Sequence, residues 1–280
     1  MIQKSYNDTP SVYLIPTPIG NLEDITIRSL NTLKTVDLIL CEDTRETGNL
    51  LKKYEIKKKL LSCHEYNEKE MSKKVIDYLK QGLNIGLVTD QGTPIISDPG
   101  YLVVRGVVKE GFNVISLPGA TAFVPALTVS GIEPSPFLFY GFLNSKNSKQ
   151  KEELKSLQNI KYTLIFYEAV HRIKKTLENM LEILGDREIT ISREISKIHE
   201  EITRGKISEV LELVDSMKGE FVIVVEGNRQ KEDYSNLDIV EHVKIYTEDG
   251  LSEMDAIKKV AKERGVAKSA IYNEYHNRKW

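Results

Sequence analysis

The stretch TDQGTPIISDPG, residues 89–100, lies between a short apolar run, NIGLV (84–88), and aliphatic residues at Leu102, Val103, Val104, Val107 and Val108. The first run reads as a strand and the second as one face of a helix. A strand-to-helix connection in an α/β unit needs only about 2–6 residues. This one spends twelve, among them two glycines, two prolines and two aspartates. Glycine lets main chain approach a ligand closely, and proline limits the entropy lost when a loop is held. The loop therefore reads as one that holds something.

Outward from it, the strand–loop–helix rhythm repeats from residue 12 to about 130. VYLI (12–15), DLILC (37–41), NIGLV and FNVISL (112–117) read as strands, and LLSC (60–63) is strand-like. ITIRSLNTLKTV (25–36) reads as a helix with Ile27, Leu30 and Leu33 on one side; TRETGNLLKKY (44–54) and KKVIDYLKQG (73–82) follow as helices. Strands apolar throughout and alternating with helices predict an α/β fold with a parallel sheet covered on both faces. From about 135 aromatic strands appear, SPFLFYGF (135–142) and YTLIFYEA (162–169). After them come the helix IKKTLENMLEIL (173–184), a half-buried strand EITISREI (188–195), the helix ISEVLELVDSM (207–217) and the strand EFVIVVEG (220–227). NSKNSKQK (144–151) reads as a polar, basic loop and NRQKEDYSN (228–236) as a linker. The last part starts at Gly250. Ser252 with Asp255 has capping-box spacing, and helix, Gly265 and helix then follow as a helix-turn-helix-like unit. The expected division is 1–131, 132–230 and a helical unit at 240–280.

The chain has 280 residues, 40% hydrophobic and 29% charged, with a formal net charge of −2. That is ordinary for a soluble protein and less basic than most binders of naked nucleic acid, so RNA contact would rest on local patches. No apolar run approaches a membrane span, and the N-terminus lacks a signal-peptide core. Two cysteines in no metal spacing suit a reducing cytoplasm.

Three strand-to-loop corners carry glycine and proline: PTPIGN (16–21), TDQGTPIISDPG and PGATA (118–122). In a parallel sheet all three open at one carboxyl edge, where ligands bind. There is no P-loop, no G-x-G-x-x-G after the first strand, no histidine pattern for a metal and no G-x-S-x-G elbow. What remains is a loop-built pocket suited to a cofactor held largely by main chain, with no metal.

Taken together, PTPIGNLEDIT (16–26), LCEDTR (40–45), TDQGTPIISDPG, LPGATA (117–122), LIFYEAVHR (164–172) and REISKIHEE…RG (193–205) resemble the tetrapyrrole-methylase-like (class III) S-adenosylmethionine-dependent methyltransferase family, in its ribosomal-RNA-modifying branch. The six motifs are collinear over residues 11–280. The resemblance implies two α/β domains with the cofactor in the cleft between them, usually as a homodimer. It implies an enzyme that methylates the ribose 2′-hydroxyl of a cytidine in the decoding region of small-subunit ribosomal RNA, within the small subunit. Carried over by position, S-adenosylmethionine would be held by Pro18, Ile19 and Gly20, by Asp90, Gly92, Pro94 and Ile95, and by Thr121 and Ala122, with Tyr167 and Glu168 adding groups from the second domain. The chain departs from the family pattern at Gln91, Val170 and Asn144, where alanine, proline and proline are usual; Gln91 bears on how closely the loop approaches the cofactor.

A sulfonium methyl is already electrophilic, so holding the hydroxyl in line supplies much of the rate, with a base or cation assisting. The candidates for proton and charge handling are Glu42, Asp43 and Arg45 on one side and Glu168, His171 and Arg172 on the other. Two alternatives stand beside that role: the arginines grip RNA phosphates, or each Arg–carboxylate set pins a loop. Asp90 would favour the sulfonium charge, His64 is a candidate for the substrate channel, and His199 reads as structural. KKYEIKKK (52–59), the 144–151 loop and the C-terminal unit supply basic surface for RNA. The rival functions are methyl transfer to a small molecule such as a tetrapyrrole, and a non-catalytic ribosome-associated factor.

Overall fold

The computed structural model of the chain describes residues 2–5, 7–214, 218–229 and 237–278. The expected linker at 228–236 falls from residue 230 onward outside the described residues, as do 215–217 of the expected helix at 207–217. Met1–Asn228 form one compact unit and Arg229–Trp280 another.

The first sheet consists of β1 (Ser11–Leu14), β2 (Leu38–Cys41), β3 (Lys59–Ser62), β4 (Ile85–Leu87) and β5 (Asn113–Ser116). Its order is β3-β2-β4-β1-β5 and every pair is parallel. The helices α1 (Ile27–Thr35), α2 (Thr44–Lys53), α3 (Glu68–Lys80) and α4 (Tyr101–Lys109) cover it. On one face Val12, Leu38, Leu40, Ile85 and Leu87 pack with Val75, Leu79, Val103 and Val107 of α3 and α4. On the other, Ile15 and Ile39 pack with Leu33 of α1 and Leu51 of α2. The three glycine- and proline-rich corners follow β1, β4 and β5. These strands are neighbours, so the topology lays the corners side by side at the carboxyl edge.

Some boundaries and faces differ from the sequence reading. Ile27 is 78% exposed and Val108 46% exposed, so the buried ridges of α1 and α4 are narrower than the aliphatic spacing implied. Helix α3 begins five residues earlier, at Glu68, whose side chain is buried.

The second sheet holds β6 (Phe137–Phe142), β7 (Thr163–Ala169), β8 (Glu188–Arg193), β9 (Glu201–Lys206) and β10 (Glu220–Val225), in the order β6-β7-β10-β8-β9. Only β6 and β7 pair in parallel; the rest of the ladder is antiparallel. Strand alternation divides its faces. Leu164, Phe166, Ile189, Ile191, Phe221 and Ile223 pack against α6 (Asn147–Leu157) and α7 (Ile173–Leu184), while Ile165, Val222 and Val224 pack against α5 (Phe123–Val129). Strand β8 is buried over Ile189–Ser192 rather than half-buried, because β10 and β9 flank it and both faces are covered. The polar stretch 144–151 is not all loop, since α6 starts at Asn147. Strand β9 and helix α5 had no clear apolar period to announce them. Helix α8 (Ile207–Leu211) stops well short of residue 217.

The C-terminal unit contains α9 (Ile239–Glu248), α10 (Glu253–Arg264) and α11 (Lys268–Arg278) around Val243, Tyr246, Ile257, Val260, Ile271 and Tyr275. Ser252 caps α10 by accepting from the Asp255 amide, and Gly265 ends it in the left-handed region at φ +66°. The expected helix–glycine–helix is present, preceded by α9. Within it His242 is fully buried: its Nδ1 accepts from Arg264 Nε at 3.1 Å, and its Nε2 lies 3.1 Å from Glu263 Oε2.

Candidate functional site

Main-chain bonds stitch the three corners together. The Thr17 amide donates to the Gly92 carbonyl at 2.9 Å and the Gly92 amide to the Thr17 carbonyl at 3.1 Å. Thr17 Oγ1 donates to the Thr89 carbonyl at 3.1 Å, and Thr93 Oγ1 to the Ala120 carbonyl at 2.9 Å. Gly92 is at φ +85°, and a Cβ there would lie 3.2 Å from Ile19 and 3.6 Å from the Ala120 oxygen. Only glycine meets both demands without strain. The far end of the loop is fixed by buried Glu68, whose Oε1 accepts from the Gly100 and Leu102 amides at 2.7 and 2.8 Å. That contact explains the early start of α3. Two non-glycine residues of the loop, Ile95 and Ser97, are held at φ +77° and +70°. A β-branched residue in that region is strained, and strain of this kind collects at functional loops.

The opposite wall comes from the second sheet. Tyr167 of β7 pairs with Val222 of β10, which pairs with Ser192 of β8, so the three form one row on the α5 side. With Phe142 and Ile195 they close a cavity of about 430 Å³ against Ile19, Asp90 to Thr93, Ile96 to Asp98, Thr121 and Ala122. That volume lies within the range of small-molecule sites. Ser192 is fully buried and its hydroxyl has no hydrogen-bond partner among the described residues. A buried hydroxyl without a partner is costly, which makes this wall a candidate surface for a polar ligand. The chain also joins the two sheets directly: Gly20 lies against Lys197 Cγ, the Asn21 amide donates to Ser196 Oγ at 3.2 Å, and Gly141 packs on Ser97.

Carboxylates dominate the first wall. Burial pushes the Glu42 carboxyl up, helped by the nearby charges of Asp90 and Asp43. Burial also raises Asp90, whose Oδ1 accepts from the Asp43 amide at 3.3 Å. Asp98 is raised to about 6, chiefly by burial, with the Thr89 side chain opposing the shift and the charges of Glu42 and Asp90 adding to it. Asp43 differs, because hydrogen bonds from Arg45 hold it down at about 2 while it caps α2. Burial lifts the Cys41 and Cys63 thiols to about 11, so both are inert at neutral pH.

Of the ten residues expected to hold the cofactor, Ile19, Asp90, Gly92, Thr121, Ala122 and Tyr167 line the cavity. Pro18, Gly20, Pro94 and Ile95 belong to the same corners but do not line it. Glu42, Asp43 and Arg45 stand beside the Asp90 end, with the Arg45 side chain 85% exposed. Glu168 also borders the cavity, but alternation turns its side chain to the face opposite Tyr167. There its Oε1 meets Arg172 Nε at 3.1 Å and its Oε2 accepts from Thr176 Oγ1 at 2.5 Å, while Arg172 Nη2 donates to the Leu143 carbonyl at 2.6 Å. This arrangement favours the loop-pinning alternative for Glu168 and Arg172 over proton and charge handling. His171 and His199 are exposed. His64 has a buried Nδ1 with no hydrogen-bond partner among the described residues and acts electrostatically on Glu42. Among the described residues, no cluster of His, Cys, Asp or Glu is arranged to hold a metal ion. Asp98, Ser192, Ile195 and Val222 also line the cavity and were not among the expected site residues. Asp98 and Ile195 stood in quoted motifs, whereas Ser192 and Val222 needed the pairing of β8 with β10.

The sequence profile of the family described as Tetrapyrrole (Corrin/Porphyrin) Methylases matches residues 11–211. The chain is 48% identical to "Ribosomal RNA small subunit methyltransferase I" of Bacillus subtilis (strain 168), covering 98% of each. Against the protein of the same name from Thermotoga maritima it is 47% identical over 216 residues, 76% of this chain and 97% of the other, so about a quarter of this chain has no counterpart there. Among solved structures, a uroporphyrin-III C-methyltransferase from Thermus thermophilus complexed with S-adenosylhomocysteine superposes with a TM-score of 0.56 at 19% identity, covering 77% of this chain and 97% of that one. A diphthine synthase superposes with a TM-score of 0.60 at 10% identity, covering 77% and 90%. These two likenesses show the shared fold.

Proposed function

The chain belongs to the tetrapyrrole methylase family, on the branch of the ribosomal RNA small subunit methyltransferase I proteins, and from that premise we propose that it transfers a methyl group from S-adenosylmethionine to the ribose 2′-hydroxyl of a cytidine in small-subunit ribosomal RNA. The observation that carries the reading is the meeting of three sequence-distant corners around one cavity whose far wall presents an unpartnered hydroxyl at Ser192. The family and the solved neighbour with S-adenosylhomocysteine support the choice of donor.

The cofactor supplies a methyl group on a sulfonium centre, electrophilic without further activation. The chain's part is to hold and orient it. Gly92 and the Thr121–Ala122 corner offer main chain at close range, Ile19, Ile195 and Val222 offer apolar surface, and Tyr167 and Ser192 offer hydroxyls. Positioning of this kind is worth several orders of magnitude in rate. The ribose hydroxyl proton passes to a carboxylate at the Asp90 end, where Glu42 is already raised by burial. Arg45, outermost of that group, is placed to meet a phosphate. Lys258, Lys262 and Lys268 are exposed on the C-terminal helices and offer further backbone contacts. Two buried free cysteines, and no helix among the described residues long and apolar enough to cross a membrane, accord with work in the cytoplasm, where we place the protein as a homodimer.

The test mixes the protein and labelled S-adenosylmethionine with small ribosomal subunits, naked small-subunit RNA or a tetrapyrrole precursor. Label in RNA at a single cytidine, in a linkage resistant to alkaline cleavage, is the expected result. Label confined to the tetrapyrrole overturns the substrate, and binding without label in any arm overturns the enzyme.

A further inference from the structure

We propose that Asp98 is the residue by which this site favours the positively charged methyl donor over its neutral thioether product, a preference that strengthens as the pH rises. The inference rests on the donor assigned above and adds a residue and a regulation to it.

Asp98 lines the same cavity as Tyr167 and Ser192, and its charge acts on Tyr167. Its position is fixed from behind, because Gly100, two residues on, is bound by buried Glu68. The groups around it are mostly acidic. Glu42 comes from the end of β2, Asp90 from the start of its own loop and Tyr167 from β7. Asp43 and Glu46 act on Asp90, and His64 on Glu42. On the far wall Glu168 is paired with Arg172. The one basic side chain among the described lining residues is Lys197, and it is engaged by Glu194 at 3.1 Å and Glu220 at 2.9 Å. Asp98 is therefore a half-buried carboxylate beside two others, short of positive charge on its own wall. Its raised pKa, about 6, is the expected consequence.

A sulfonium supplies the missing charge and a thioether does not. The two ligands differ otherwise only by the methyl group, which does not titrate, so the pH dependence of their affinity ratio isolates that one charge. The sign follows from linkage. A cation favours the ionised carboxylate, so donor affinity rises as Asp98 ionises through about pH 6 and levels off above it. Product affinity carries no such dependence from this group. After transfer the positive charge is gone, and the same carboxylate that drew the donor in no longer holds what remains.

Isothermal titration of the full chain with S-adenosylmethionine and S-adenosylhomocysteine tests this at about pH 5 and about pH 7.5. The donor-to-product affinity ratio is expected to grow by about tenfold, on the order of one pKa unit of linkage. In two buffers of different ionisation heat near pH 6, donor binding releases protons and product binding releases fewer. Asp98→Asn removes the pH dependence of the ratio. A ratio unchanged with pH overturns the proposal although the donor still binds, and a pH dependence that survives in Asp98→Asn overturns the assignment to this residue. Failure of both ligands to bind at either pH overturns the proposal together with the choice of donor.

Discussion

The two sheets hold their sides of the cavity by different means. Around the first, main chain is tied to main chain: Thr17 to Gly92, with threonine hydroxyls reaching carbonyls at Thr89 and Ala120. Around the second, the support is a buried side-chain network. Glu168 binds Arg172 and Thr176, Gln150 Nε2 donates to Thr176 Oγ1 at 3.0 Å, and Asn179 Nδ2 donates to Gln150 Oε1 at 2.5 Å. A wall made of backbone depends on which residues can adopt its φ and ψ, so glycine is its weak point. A wall braced by buried polar side chains depends on every partner being present, because an abandoned buried charge or hydroxyl is costly. Substitutions in the two walls should therefore fail differently.

Glu168→Ala should have the largest effect on stability. It strands Arg172 and Thr176 and is expected to cost about 3 kcal/mol, read as a lower urea midpoint, while the folded fraction retains donor affinity. Loss of donor affinity with stability intact would erase the contrast between the walls. Gly92→Ala comes next. The left-handed backbone and the close approach to Ile19 predict a loss of about 1–2 kcal/mol, with a larger fall in donor affinity by titration than Glu168→Ala shows. An unchanged affinity would remove the backbone wall from the binding site. Arg45→Ala is the mildest, since the side chain is exposed and Asp43 still caps α2. Its melting midpoint should match the parent, while RNA affinity falls a few-fold and depends less steeply on salt. If RNA binding is unaffected, Arg45 serves only to hold Asp43.

Much of the first wall was legible in the chain. Alternating apolar strands and helices announced a parallel sheet, and three corners rich in glycine and proline marked the edge that borders the cavity. Those signals are local: a glycine that must take φ +85° is conspicuous without knowledge of its neighbours. The roles of the acidic residues were not legible in this way. Glu168 and Tyr167 are adjacent, and alternation along β7 sends one to a brace and the other to the cavity. Asp43 and Asp98 are both aspartates in loops, one held at about 2 by an exposed arginine and the other raised to about 6 by burial.

The sequence by itself determined the α/β rhythm, the three glycine- and proline-rich corners at one sheet edge, and the family. Backbone preferences and apolar spacing act over a few residues and are written where they act. Only the tertiary structure decided that β10 runs between β7 and β8, which sets Tyr167, Val222 and Ser192 in one row. It also decided which carboxylates are paired and which are left short of charge. Those outcomes depend on distance and burial in space, and residues far apart in the chain become neighbours only once the fold has brought them together.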